Sequence, residues 1–160
     1  MQRTPGNSTG LLVRATLLAG TLDIISAMIY VLVAGKNPLA VPVGIASAIW
    51  PGALKAGLPA LVVGLLLHFA LMLVMVTVFV AAARRIDWLT AQPVASGALY
   101  GVTLWAVMYL VVLPLRWPAL FPHFTVASVA EQWFSHIALV GMPLAWLTSR
   151  SFRQTPTLRS

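Results

Sequence analysis

Cysteine is absent from the 160 residues, and acidic side chains are nearly so, with Asp23, Asp87 and Glu131 forming the whole set. The missing thiols exclude disulfides, thiolate metal sites, thiol nucleophiles and cysteine-attached haem, and they leave the redox compartment unreadable. Charged residues make up 8% of the chain, against about 25% in an ordinary soluble domain. Also lacking are a carboxylate pair placed for acid-base work, a phosphate-cradling glycine loop and a nucleophile elbow, so the chain is expected not to be an enzyme.

What is present is hydrocarbon. With 60% hydrophobic residues, the solvent of this chain must be mostly lipid. A net charge of +7 would suit nucleic acid. The ten Lys and Arg lie scattered at segment ends, however, without a basic stripe, so no nucleic-acid partner is expected.

Four runs have the length of a spanning helix: residues 11–34, 58–83, 94–113 and 126–148. Gly35, Lys36, Asn37 and Pro38 end the first. It is too long for the apolar core of a secretory signal and carries Asp23 in its middle. Arg84 and Arg85 close the second, Pro93 opens the third, and Pro143 is a potential kink in the fourth. Residues 39–54 are apolar but short, with Pro42 and a Trp50-Pro51-Gly52 break. They read as an interfacial or re-entrant segment, with a fifth span ranked second. Residues 1–10 and 150–160 read as polar tails.

Four spans put Arg3, Arg14, Arg84, Arg85, Arg150, Arg153 and Arg159 on one side, and Lys36, Lys55 and Arg116 on the other. The positive-inside rule then makes both termini cytoplasmic. Trp50, Trp88, Trp117 and Trp146 fall near span ends, as in an aromatic belt, and the Phe121-Pro122-His123-Phe124 loop suits the membrane interface.

Asp23, His68 and His136 are the ionisable groups deep in these runs. On a rise of about 1.5 Å per residue, Asp23 lies about 18 Å above Leu11, His68 about 22 Å above Ala83 and His136 about 20 Å above Ser149. The same level of the third span falls near Trp105, Met108 and Tyr109, so all four helices could contribute to one layer. Helical stripes agree: Ala19, Asp23, Ala27 and Tyr30 with Ser26 beside them; Gly64, His68, Met72 and Met75; Gln132, His136 and Leu139 or Val140, with Ser128 and Ser135 adjoining.

Several readings of that layer stay open. The carboxylate and imidazoles could hydrogen-bond one another and fix helix register, as polar interhelical pairs do. They could carry protons, ions or a small solute. His68 and His136 could supply the axial ligands of a b-type haem, and Asp23, His68 and His136 could hold a divalent metal, although no cofactor is expected. His123 reads as interfacial rather than as a ligand. Ser128 and Glu131 have capping-box spacing, so Glu131 is expected to cap the fourth helix. Gly97 and Gly101 read either as a dimer face or as packing inside the bundle, the latter preferred.

The stretches Ala19-Gly20-Thr21-Leu22-Asp23, Ile45-Ala46-Ser47, Leu67-His68-Phe69 and Gly97-Ala98-Leu99-Tyr100-Gly101 resemble a family of small bacterial inner-membrane proteins, loosely YagU-like. The resemblance covers roughly residues 15–115 and implies a multi-span protein of the bacterial inner membrane, with no site to transfer. The expectation is therefore an all-α integral membrane protein, four transmembrane helices in a bundle. It would serve as a non-enzymatic accessory or oligomer-forming subunit, with the bilayer and a homo-oligomer or larger membrane complex as partners.

Overall fold

The computed structural model describes residues 8–153. Its regular structure is helical, and no strand occurs among the described residues. The order is α1 (Ser8–Val33), short α2 (Ala40–Ala46), α3 (Leu58–Ala83), short α4 (Asp87–Ala91), α5 (Pro93–Arg116) and α6 (residues 126–153), with a 3₁₀ turn at Ala53–Lys55. Residues 1–7 and 154–160 lie outside the described residues; they include Arg3, Arg159 and most of the two expected tails.

Helices α1, α3 and α5 are each long and apolar enough to cross a membrane. Helix α6 is not among them, because Glu131, Gln132, His136 and Arg150 dilute its apolar content. It packs against α1, α3 and α5, so Gln132 and His136, both partly buried, meet protein rather than hydrocarbon, while Glu131 and Arg150 are exposed towards its two ends.

Local chemistry explains most helix ends. Gly35 takes φ 73, and the amides of Gly35 and Lys36 donate to the carbonyls of Leu32 and Val31 at 2.9 and 3.0 Å. That is a Schellman motif, and it ends α1 where the glycine permits. The helix starts at Ser8 rather than Leu11, with the Ser8 hydroxyl accepting from the Arg84 guanidinium at 3.1 Å. Helix α3 occupies the expected residues, with Pro59 in its first turn.

Two prolines expected to end or bend helices are instead carried through. A π-helical stretch at Met108–Val112 precedes Pro114, and α5 runs on to Arg116; another at Phe134–Gly141 precedes Pro143, and α6 runs on to Arg153. Proline lacks an N–H and crowds the carbonyl four residues back, and a wider turn just ahead of it relieves both problems. The expected polar tail therefore begins in helix. The fourth helix is capped by Thr125, not by the Ser128 and Glu131 pair. The Thr125 hydroxyl accepts from the Ser128 amide at 3.1 Å, the Ser128 hydroxyl accepts from the Thr125 amide at 2.9 Å, and Glu131 is exposed.

Helix α2 has 7 residues, about 10 Å of rise, too short to cross a bilayer. It lies against α3 where Gly64 leaves room for the Pro42 backbone. Ala46, Ala53 and Ala60 form a small core there with Trp50, which serves packing as well as the interface. Arg116 ties the segment down by donating to the Ser47 and Ala48 carbonyls, each at 2.7 Å. At the opposite end the Arg84 bond to Ser8 and a 2.6 Å bond from Ser149 to the Thr90 carbonyl gather the start of α1, the end of α3, α4 and the end of α6.

Gly97 and Gly101 face inward. A methyl group on Gly97 would come within 2.7 Å of the Gly141 carbonyl oxygen, and one on Gly101 within 2.6 Å of the Ile137 Cα. They are internal packing, and Gly141 is their counterpart. Gly101→Ala is expected to cost about 1–3 kcal/mol through overpacking, whereas Gly44→Ala meets nothing within 4 Å and should leave stability unchanged. Unfolding midpoints in detergent measure both.

Candidate functional site

The sequence-derived layer becomes a cavity of about 50 Å³. Asp23 reaches it from α1; His68, Leu71, Met72 and Met75 from α3; Leu104 and Met108 from α5; His136 and Val140 from α6. All four long helices contribute, at the depth that counting residues gives. A space of this size, with Asp23, His68 and His136 set in an otherwise apolar wall, is large enough for water, which needs only about 10–15 Å³ of such volume and two to four polar partners.

The three ionisable groups do not hydrogen-bond one another. His68, 7% exposed, places its Nε2 at 2.9 Å from the Gly20 carbonyl oxygen of α1. Because a carbonyl only accepts, Nε2 carries the proton. Nδ1 is then the unprotonated nitrogen of the neutral ring. Gly20 makes the contact possible. A methyl there would lie 2.7 Å from the Phe69 ring, so the missing side chain lets α3 bring His68 and Phe69 up to α1.

His136 makes the complementary choice. Its Nδ1 lies 2.9 Å from the carbonyl oxygen of Gln132, one turn back on the same helix, which leaves Nε2 as the acceptor. Helix α6 is π-helical from Phe134 to Gly141, so His136 sits just inside the wider register. Asp23 differs from both histidines. Its carboxylate has no hydrogen-bond or ion-pair partner among the described residues, while its own backbone carbonyl accepts from Ser26 at 2.8 Å.

Around the cavity the polar and aromatic groups are tied to one another. Ser26 and Ser135 join α1 to α6 at 2.9 Å, with the Tyr30 hydroxyl 3.4 Å from Ser135. Tyr109 packs edge-on against His136, with ring centroids 5.8 Å apart. Towards the 117–125 loop, Trp105 stacks with Tyr109 and donates to Gln132 Oε1 at 2.8 Å, while Phe121 and Phe124 pack on Tyr109 and Trp105. The loop expected at the interface thus covers one end of the site. His123 is exposed and outside the cavity. On the other side the Tyr100 hydroxyl donates to the Met75 carbonyl at 2.7 Å and its ring packs on Phe79 at 4.9 Å.

Two cofactor readings do not fit. A cavity of about 50 Å³ is far below the roughly 300 Å³ of even a small organic-ligand pocket, so His68 and His136 do not frame a haem. Among the described residues no three His, Asp or Glu side chains are placed to hold a metal ion. Asp23, His68 and His136 share a cavity without forming a three-ligand site by themselves.

Sequence reasoning missed the Gly20 and Gln132 carbonyls that orient the two rings. Gly20 carried a signal, since it stands three residues before Asp23. The Gln132 carbonyl lies one turn before His136, a neighbour that helical spacing gives without showing that the ring bonds to it. His68→Ala is expected to lower unfolding stability by about 1–3 kcal/mol, since it removes a buried bond between helices. His136→Ala should cost less, its bond being within one helix. Denaturant titrations in detergent compare the two.

The stretches that carry the family resemblance include Gly20, Asp23, His68, Gly97 and Gly101, which here build the cavity or its closest helix contacts. No family model matches the chain, and neither a curated protein nor a solved structure matches it.

Proposed function

We propose that the protein is a non-enzymatic, four-span membrane protein that passes a proton or small cation through the cavity between Asp23, His68 and His136. The observation that carries this reading is the Asp23 carboxylate, which borders a cavity without a hydrogen-bonding or ionic partner among the described residues. A carboxylate kept only for packing would be expected to have its hydrogen bonds satisfied, because an unpaired charge at this depth costs several kcal/mol. The two imidazoles are oriented by backbone carbonyls rather than by Asp23, so each retains a nitrogen for exchange.

The fourth span in this proposal is α6. Its length is sufficient, and its central packing explains its lower hydropathy. The charge distribution supports cytoplasmic placement of both termini in a bacterial inner membrane, with α2 as a segment held at the opposite interface. Placement in the YagU-like family belongs to the same proposal. A second reading, an accessory subunit whose polar layer chiefly holds helices together, is favoured by the His68 bond to Gly20.

Reconstituted into liposomes, the protein should support pH-gradient-driven proton flux that Asp23→Asn reduces about a hundredfold or more, the lower end of the effect of removing a proton-transfer group. Flux in the variant equal to the parent would reject Asp23 as the exchanging group. Absence of flux in the parent would favour the accessory reading.

A further inference from the structure

The cavity walls contain more than the ionisable groups. The chain has six methionines, and three of them, Met72, Met75 and Met108, line this one small space with His68 and His136. Leucine would fill a bundle core with better-defined rotamers, and methionine is normally used sparingly there. Half the thioethers thus meet two imidazoles at one cavity, and Met72 and Met75 also pack with Ala19, Leu104 and Val140.

From this combination we infer a binding site for a soft monovalent d¹⁰ cation, Cu(I), with His68 Nδ1, His136 Nε2 and the Met72, Met75 and Met108 thioethers as the candidate ligands. Thioether sulfur selects Cu(I) over hard cations and divalent zinc. The inference rests on the proposed cation-handling role of the cavity and names its cation. It also explains why the His and Asp groups alone do not suffice for a metal: the donors that complete the set are neutral sulfurs, in a chain with no cysteine.

Three further observations support the assignment. Each histidine donates one ring N–H to a backbone carbonyl, His68 to Gly20 and His136 to Gln132, both at 2.9 Å. Metal-binding imidazoles are held in this way, with the N–H bond fixing the tautomer and presenting the other nitrogen. His68, Met72 and Met75 follow one another at helical spacing on α3, so a single rigid element supplies three donors. Asp23 borders the same space, and as a carboxylate it would neutralise a monovalent ion and leave a divalent one with excess charge in a medium that penalises it.

The test is Cu(I) titration of the purified full-length protein in detergent under reductant, in competition with a chromophoric Cu(I) chelator, followed by copper-edge X-ray absorption. One equivalent of Cu(I) is expected to bind, with both sulfur and nitrogen scatterers. The near-isosteric double variant Met72→Leu/Met108→Leu should weaken binding about tenfold or more, the scale on which metal sites respond to loss of supporting groups, while Met142→Leu, outside the cavity, should not. Wild-type affinity in the double variant would overturn the assignment. A shell of nitrogen and oxygen only in the parent would do the same, whether or not the variant folds. Proton flux that depends on Asp23 without any Cu(I) binding would remove the copper site and leave the transport reading standing; Cu(I) binding without proton flux would keep the site and remove the proton from that reading.

Discussion

Backbone contact between α5 and α6 is the arrangement on which the site depends. Gly97 and Gly101 present bare backbone to Gly141, His136 and Ile137, and a single added methyl at any of the three glycines would force the helices apart. Because the Gly101 contact falls at His136 itself, the closeness of the helices sets where that imidazole sits. With α6 drawn inward, Gln132, Ser135 and His136 turn towards α1, α3 and α5. In lipid the hydrophobic effect contributes little to helix association, so close packing and interhelical hydrogen bonds must supply it. Ser26 with Ser135, Tyr100 with Met75 and His68 with Gly20 are those bonds.

The π-helical stretches connect backbone to site. Each precedes a proline, and each carries residues of the cavity or its rim: Met108 and Tyr109 in one, His136 and Val140 in the other. A wider turn redirects the side chains it carries. Pro114 and Pro143 therefore mark the helices whose local register aims functional groups, although neither proline lines the cavity.

Much of this was legible before any coordinates. Span-length apolar runs located α1, α3 and α5 within a few residues, because hydrocarbon thickness and the absence of charge leave little freedom. Counting residues from the helix ends put Asp23, His68 and His136 at one depth, and stripes three and four apart brought Met72, Met75 and Val140 to the same space. Helix ends were less readable. Pro114 and Pro143 suggested a stop and a kink, but nothing in the sequence announces a π-turn that absorbs them. Thr125 took the cap from Ser128 and Glu131 because both pairs have the same spacing, and only the chain's path from the 117–125 loop decides between them. The reading in which the three ionisable groups hydrogen-bond one another does not hold, His68 and His136 bonding backbone carbonyls instead: side-chain periodicity predicts which groups converge, but not which backbone carbonyls lie closer.

The central claim is that Asp23 stands at an exchangeable site rather than in a closed packing layer. Infrared difference spectroscopy of the protein in lipid, between acidic and alkaline buffer, tests it most directly, since with only three acidic side chains in the chain each carboxyl band can be assigned by substitution. The account predicts a carboxyl band that changes with pH, shifts in deuterated water and disappears in Asp23→Asn. A spectrum in which no pH-dependent band is lost with that substitution would contradict it.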